Sequence, residues 1–334
     1  MTHEPPGHRT PAGRLLDGIA RGKQPWGRRE IHEDEEPRVR FGVNVLNFGP
    51  GTDPSTLLGW TRYAEDRGFD FAMISDHVAV TPDAAGPYPA PFYDPFTTLA
   101  WLAGQTERIE LGTTVAIVPY RHPLHTARVT ANIDRFSGGR FLFGAGIGWA
   151  RQEFEALGLP FERRGRMTDE YLEVLTRAWT EETLSFHGEF VSFDEVSTGP
   201  LPTRRPPLWV GGNGHAAIRR AVRFGDAWHP FNQRVAWLRD QGVPALLRAA
   251  EDAGRAAPGF APRLPLLLTD SALDDDTRLA GQGTLDQVRR DLGGLAELGA
   301  THVLFDTYPG TPDEMRSQEA DHRMLDALAA HVLD

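Results

Sequence analysis

From Val39 onward, short apolar runs alternate with longer stretches whose apolar residues recur at helical spacing, the signature of strand followed by helix. Val39 to Leu46 predicts a first strand, and Asp53-Pro54 predicts the cap and first turn of a helix that stops at Gly68. Phe69 to Ser75 predicts a second strand, ending in Asp76-His77. The Pro-rich stretch through Tyr88-Pro89-Ala90-Pro91 is long for a simple connection, which predicts a functional loop over a site. A helix from Asp94-Pro95 to Thr106, a strand from Ile109 to Ala116, a helix near Leu124 to Phe136 and a fourth strand within Arg140 to Gly146 continue the pattern. Residues 165 to 181 predict an amphipathic helix, with Tyr171, Leu172, Val174, Leu175, Ala178 and Trp179 on one face. Phe186 to Phe193 reads as a small hairpin outside the alternation. Strands at Leu208 to Val210, Asp226 to Phe231, Leu264 to Leu268 and Thr301 to Asp306 then alternate with helices ending at Phe224, following Phe231, over 285 to 298 and around Pro312 to Val332.

Eight such units predict an α/β fold, a (β/α)8 TIM barrel over 39–334, with an inserted hairpin and loop region after the fourth unit. A doubly wound sheet is the alternative, disfavoured because no Gly fingerprint follows the first strand. Residues 1–38 carry Pro, Gly and balanced charge without apolar periodicity, and are expected to be a disordered N-terminal extension.

Composition narrows the chemistry. The net charge of -11 argues against a general nucleic-acid binder. No leader-like apolar region and no run near ~20 apolar residues is present, so a cytoplasmic, non-membrane protein is expected. With no cysteine, disulfides, thiolate metal sites and Cys nucleophiles drop out. Lys23, in the N-terminal extension, is the only lysine, which disfavours Schiff-base, pyridoxal-phosphate and Walker-type chemistry in the folded domain.

A barrel gathers its site at the C-terminal ends of the strands. That rule selects Asn44, Asp76, His77, Thr113, Thr114, the turn from Gly146 to Trp149, Gly211 to His215 and His229. The two Gly-rich turns, Gly144-Ala145-Gly146-Ile147-Gly148 and Gly211-Gly212-Asn213-Gly214, suggest a phosphate or other anion held by backbone N–H groups; a tight turn without a ligand is the plain alternative. His77 suits acid/base work near neutral pH, or a structural bond to a loop carbonyl. No metal site is expected: the first strand lacks a His-x-His pair, and His122 and His125 have no carboxylate nearby in sequence. A Gly-x-Ser-x-Gly elbow is also missing, so a flat cofactor that performs the chemistry fits the strand ends better than a nucleophile.

The segments Phe71-Ala72-Met73-Ile74-Ser75-Asp76-His77, Leu111-Gly112-Thr113-Thr114-Val115, Arg121-His122-Pro123, Asp134 to Arg140, Gly144 to Phe154 and Trp209-Val210-Gly211-Gly212 together resemble the bacterial luciferase-like monooxygenase family, and most closely its subgroup using the deazaflavin coenzyme F420. The resemblance spans Val39 to about Val332. It implies Asp76 and His77 against the ring, Thr113, Thr114 and Val115 in a bulge with a non-proline cis peptide at Thr114–Val115, and Gly148, Trp149, Gly211, Gly212, Asn213 and Gly214 around the ribityl and phosphate end; His215, selected by the strand-end rule, is a further cofactor-binding candidate. His77 and Trp149 are the expected catalytic pair, as proton carrier and substrate wall, and the strand-end residues Asn44 and His229 are expected toward the substrate. Sugar-phosphate dehydrogenases of the subgroup carry a Glu where Ile147 stands, so that substrate class is not expected here. The expected activity is hydride transfer between F420 and a small organic substrate, by a homodimer. The alternatives are a two-component monooxygenase using reduced FMN and a non-catalytic flavin or deazaflavin carrier.

Overall fold

A computed structural model describes residues 38–333. The extension expected to be disordered lies, apart from Arg38, outside the described residues. Eight parallel strands form the sheet: β1 Arg40–Asn44, β2 Phe71–Ile74, β3 Glu110–Thr113 continuing at Ala116–Ile117, β4 Phe141–Gly146, β5 Leu208–Gly211, β6 Ala227–His229, β7 Gly259–Phe260 with Arg263–Pro265, and β8 His302–Asp306. β1 pairs with β8, which leaves β7 to close the ring. It does so by alternating its bonds. Gly259, Ala261 and Arg263 donate to Asp226, Trp228 and Pro230 on one side, at 2.7, 2.9 and 2.8 Å. On the other side Phe260, Pro262 and Asp306 accept from Thr301, Leu304 and Leu266 at 2.9, 3.0 and 2.7 Å.

This moves the seventh strand from its expected place. Leu267–Leu268, read as its end, instead leave the barrel and pair with Gln282–Gly283. The prolines at 262 and 265 explain the misreading, because proline cannot donate to a ladder and argues against a central strand on pattern alone.

Eight principal helices cover the barrel: α1 Pro54–Asp66, α2 Pro95–Ala103, α3 Pro123–Phe136, α4 Arg164–Ala178, α5 His215–Phe224, α6 Val243–Asp252, α7 Leu285–Glu297 and α8 Gln318–Val332. The starts follow the sequence. Asp53 accepts from the Thr56 N–H at 2.8 Å and closes a capping box on α1; Thr284 and Gln287 do the same on α7. The terminal helix begins later than expected, at the cap Ser317. The inserted hairpin pairs Thr183–His187 with Ser192–Ser197 between α4 and β5.

Two apolar cores result. Between strands and helices lies a continuous shell that includes Val43, Ile74, Leu111, Phe143, Val210 and Phe305. Inside the ring Phe71, Met73, Leu142, Trp209, Ala227, Ala261 and Leu304 fill the barrel, so it is a packed core with usable space only at its mouth.

Candidate active site

The mouth is organised by a bulge in β3. Leu111 and Gly112 face Phe141 and Leu142, whereas Ala116 and Ile117 face Ala145 and Gly146. Thr113 to Val115 therefore hold one residue more than the opposing stretch of β4, and the Thr114–Val115 peptide is cis. The missing ladder bonds are replaced by a side chain: the Thr113 hydroxyl donates to the Gly144 carbonyl at 2.7 Å and accepts from the Gly144 N–H at 3.0 Å.

Val115 is thrown across the ends of β4 and β5. A Cβ on Gly146 would lie 2.4 Å from Val115 Cγ2, and one on Gly211 would lie 2.8 Å from Val115 Cγ1. These glycines, which on sequence suggested a phosphate turn, are required by the close approach of Val115. At the second turn Gly214 caps α5 without a side-chain bond, and Gly214, His215 and Ala216 are exposed, whereas after the first turn the cap Ala150 is buried. Asn213 is not available there through its side chain. Its amide donates to the Phe231 carbonyl and accepts from the Phe231 N–H, both at 3.0 Å, tying two strand-end loops together.

Asp76 and His77, just beyond the end of β2, point to different surroundings. The carboxylate of Asp76 is taken up within the protein. Arg121 donates to both of its oxygens, at 2.7 and 2.9 Å, and the Ile117 N–H donates to Oδ2 at 2.8 Å. Asp76 thus anchors the outgoing end of the bulge. His77 faces the mouth, 6% exposed, with Nδ1 2.6 Å from Glu153 Oε2. Its ring lies 5.2 Å from Tyr88, 5.3 Å from Phe92 and 5.9 Å from Trp149 between centroids. Trp149 is 47% exposed. The loop after β2 supplies Tyr88 and Phe92; it is pinned by Gly49, whose N–H donates to Pro89 and Pro91, and by the Tyr308 hydroxyl, which donates to the Pro87 carbonyl.

Beneath this aromatic cover lies a polar floor. His229 Nδ1 is 2.5 Å from the Ala261 carbonyl, which can only accept, so Nδ1 carries the hydrogen and Nε2 accepts from the Thr114 hydroxyl at 3.0 Å. Arg263 donates to the Thr114 carbonyl at 3.0 Å and to Asp306 at 2.5 Å, and Asn44 donates to Asp306 at 2.8 Å. Asn44 Oδ1 is buried with no donor among the described residues. Asn44 and His229 were both expected near the substrate; the structure puts them on this floor, with His229 fully engaged. Among the described residues no cluster of His, Asp and Glu is arranged to hold a metal ion, and no helix is long and apolar enough to cross a membrane.

Burial lowers His229 to about 4 from its ordinary 6.5, so folding holds it neutral. The unfolded chain binds the extra proton first as pH falls. The stability linked to His229 is therefore complete above about 6.5 and is lost progressively as pH falls from there to about 4, up to about 3 kcal/mol. Urea midpoints measured at about pH 7 and about pH 4.5 are expected to fall further for the wild type than for His229→Gln, which has no such titration. Equal falls in both proteins would remove the assignment.

Glu153, Tyr120, Arg263 and Asp306 were missed as site residues. Glu153 sits in a polar run that reads as a solvated helix face, and the observed helix Arg151–Ala156 turns it inward. Its one sequence signal is its place directly after a barrel-mouth turn.

The chain belongs to the luciferase-like monooxygenase family, whose profile matches residues 39–280. It is thereby an enzyme of an oxidoreductase and monooxygenase class. An uncharacterised protein of Mycobacterium tuberculosis is 30% identical over 308 residues, 88% of this chain and 99% of the relative. The F420-dependent glucose-6-phosphate dehydrogenase of Nakamurella multipartita is 32% identical over 230 residues, 66% of this chain and 64% of that enzyme. A solved F420-dependent secondary alcohol dehydrogenase, in complex with an F420-acetone adduct, shares the fold with a TM-score of 0.71 at 17% identity, covering 87% of this chain and 99% of its own.

Proposed function

We propose that this enzyme uses coenzyme F420 to move a hydride to or from a small organic substrate. The observation that carries the reading is the Val115 shelf. Val115 is only half-buried, backed by Gly146 and Gly211, and offers an apolar support for a flat ring over the ends of β4 and β5. Two further features suit the rest of such a cofactor. The uncapped first turn of α5 favours an anionic group, and the orphaned Asn44 Oδ1 lacks a donor that a bound polar group can supply. The F420 dependence in the name of the Nakamurella relative favours the deazaflavin over FMN.

When bound, the coenzyme supplies the carbon that takes up or releases hydride. The protein's own residues do the rest. Val115 supports the ring, and Gly214, His215 and Ala216 bind the charged end through backbone N–H groups. His77 holds or releases the substrate proton at Nε2, and Trp149 walls the substrate. Tyr88 and Phe92 exclude water from the reacting atoms. Ile147 puts no carboxylate beside the Gly-rich turn, which separates this site from the sugar-phosphate chemistry of the resembling subgroup.

Titration of oxidised F420 with the purified protein is expected to give saturable fluorescence quenching at micromolar concentrations. Absence of quenching together with tight FMN binding would transfer the protein to the FMN-using branch and overturn the reading.

A further inference from the structure

We propose that Glu153 is the positioning residue for His77: it sets the imidazole tautomer and so leaves Nε2 as the nitrogen that accepts a proton at the barrel mouth. This rests on reading His77 as the proton-handling group of the proposed function.

Glu153 is 0% exposed and meets four polar partners. Its Oε1 accepts from the N–H groups of Val78 at 2.6 Å and Ala79 at 2.9 Å. Its Oε2 accepts from the Tyr120 hydroxyl at 2.8 Å and lies 2.6 Å from His77 Nδ1. Burial works against a charge here, but the bonds from His77, Ala79 and Tyr120 outweigh it and hold the group below the usual glutamate range. An ionised carboxylate has no hydrogen to give, so the hydrogen in the 2.6 Å bond belongs to Nδ1.

The lone pair of the neutral ring is then on Nε2, which has no hydrogen-bond partner among the described residues. The ring cannot readily swing to exchange its nitrogens, because Tyr88, Phe92 and Trp149 crowd it at 5.2, 5.3 and 5.9 Å. Nε2 can take the proton of a substrate hydroxyl, and the imidazolium that results is stabilised by Glu153. In the opposite direction the same nitrogen returns the proton to the oxygen of a carbonyl as it is reduced. The carboxylate itself exchanges no proton. It combines two tasks in one group, orienting His77 and, through Val78 and Ala79, fixing the root of the aromatic loop that covers it.

A purely structural Glu153 would serve the loop alone, and the tautomer separates the two roles. Long-range proton–nitrogen NMR of the coenzyme-free protein, labelled at histidine nitrogens and recorded where the ring is neutral, reads it directly; loss of a signal in His77→Gln assigns the resonance. In the wild type, Nδ1 is expected to be the protonated nitrogen. In Glu153→Gln the amide can keep the loop bonds with its oxygen but turns its NH2 toward His77, so the proton is expected to move to Nε2. In Tyr120→Phe the carboxylate remains, and the wild-type tautomer is expected. A wild-type ring protonated on Nε2, an unchanged tautomer in folded Glu153→Gln, or a tautomer reversed in Tyr120→Phe each overturns the assignment. Should Glu153→Gln fail to fold, the wild-type and Tyr120→Phe spectra still decide. The F420 titration is independent: no coenzyme binding with a protonated Nδ1 sinks the proposed cofactor alone, and coenzyme binding with a protonated Nε2 sinks only the role of Glu153.

Discussion

Gly144→Ala is expected to lower the stability of the enzyme by about 3–5 kcal/mol, a fall in melting midpoint on the order of 10 °C for a chain of this size. The cause is the bulge. An added Cβ would stand 1.9 Å from the Thr113 carbonyl oxygen, a backbone atom that cannot rotate away as a side chain would. Relief requires β3 and β4 to separate, and that breaks both bonds between the Thr113 hydroxyl and the Gly144 backbone. Those groups are buried, so each lost bond leaves an unsatisfied polar atom rather than a solvated one. Since natural domains have only about 5–15 kcal/mol in total, poor accumulation of the variant is part of the same expectation. Thermal melts compare the two proteins; a change of midpoint below about 2 °C would remove the bulge from the list of stabilising features.

Replacing His77 with Asn is expected to reduce turnover by about 10²- to 10⁴-fold, on whichever alcohol or ketone a panel with F420 identifies, while coenzyme affinity changes by less than about threefold. Asn can offer an amide N–H toward Glu153 in place of Nδ1–H, so the buried carboxylate keeps a donor and the fold is spared the cost of an unpaired charge. What it lacks is a basic nitrogen in place of Nε2. The effect therefore falls on the catalytic step, and parallel measurement of F420 binding and steady-state rates separates the two. Unchanged turnover in a variant that still binds coenzyme would take the proton-transfer role away from His77.

Much of the fold was legible because it rests on local signals. Asp53, Asp94 and Thr284 cap helices through contacts three residues away, and the seven strands read close to their true places are short apolar runs bounded by turn residues. The seventh strand was misplaced because Pro262 and Pro265 suppress the pattern, while its alternating bonds to β6 and β8 supply what the pattern does not show. The site was legible at the level of which strand ends converge and of the motifs that resemble the family. It was not legible at the level of direction. Asp76 and His77 are neighbours in sequence, yet one carboxylate is held by Arg121 and the other residue's ring faces the mouth.

The sequence by itself determined the alternation of strand and helix, the capped helix starts, the exclusion of cysteine and lysine chemistry from the domain, and the set of turns that meet at one end of a barrel. These follow from periodicity and from residue chemistry over a few positions. Only the tertiary structure decided why the glycines at 144, 146 and 211 are glycines, that Glu153 turns inward to His77, and that Arg263, Asp306, Asn44 and His229 share one floor. Each of those contacts joins residues between 31 and 262 positions apart or depends on a register shift of one residue, and such relations are set by closing the ring rather than by any local stretch of chain.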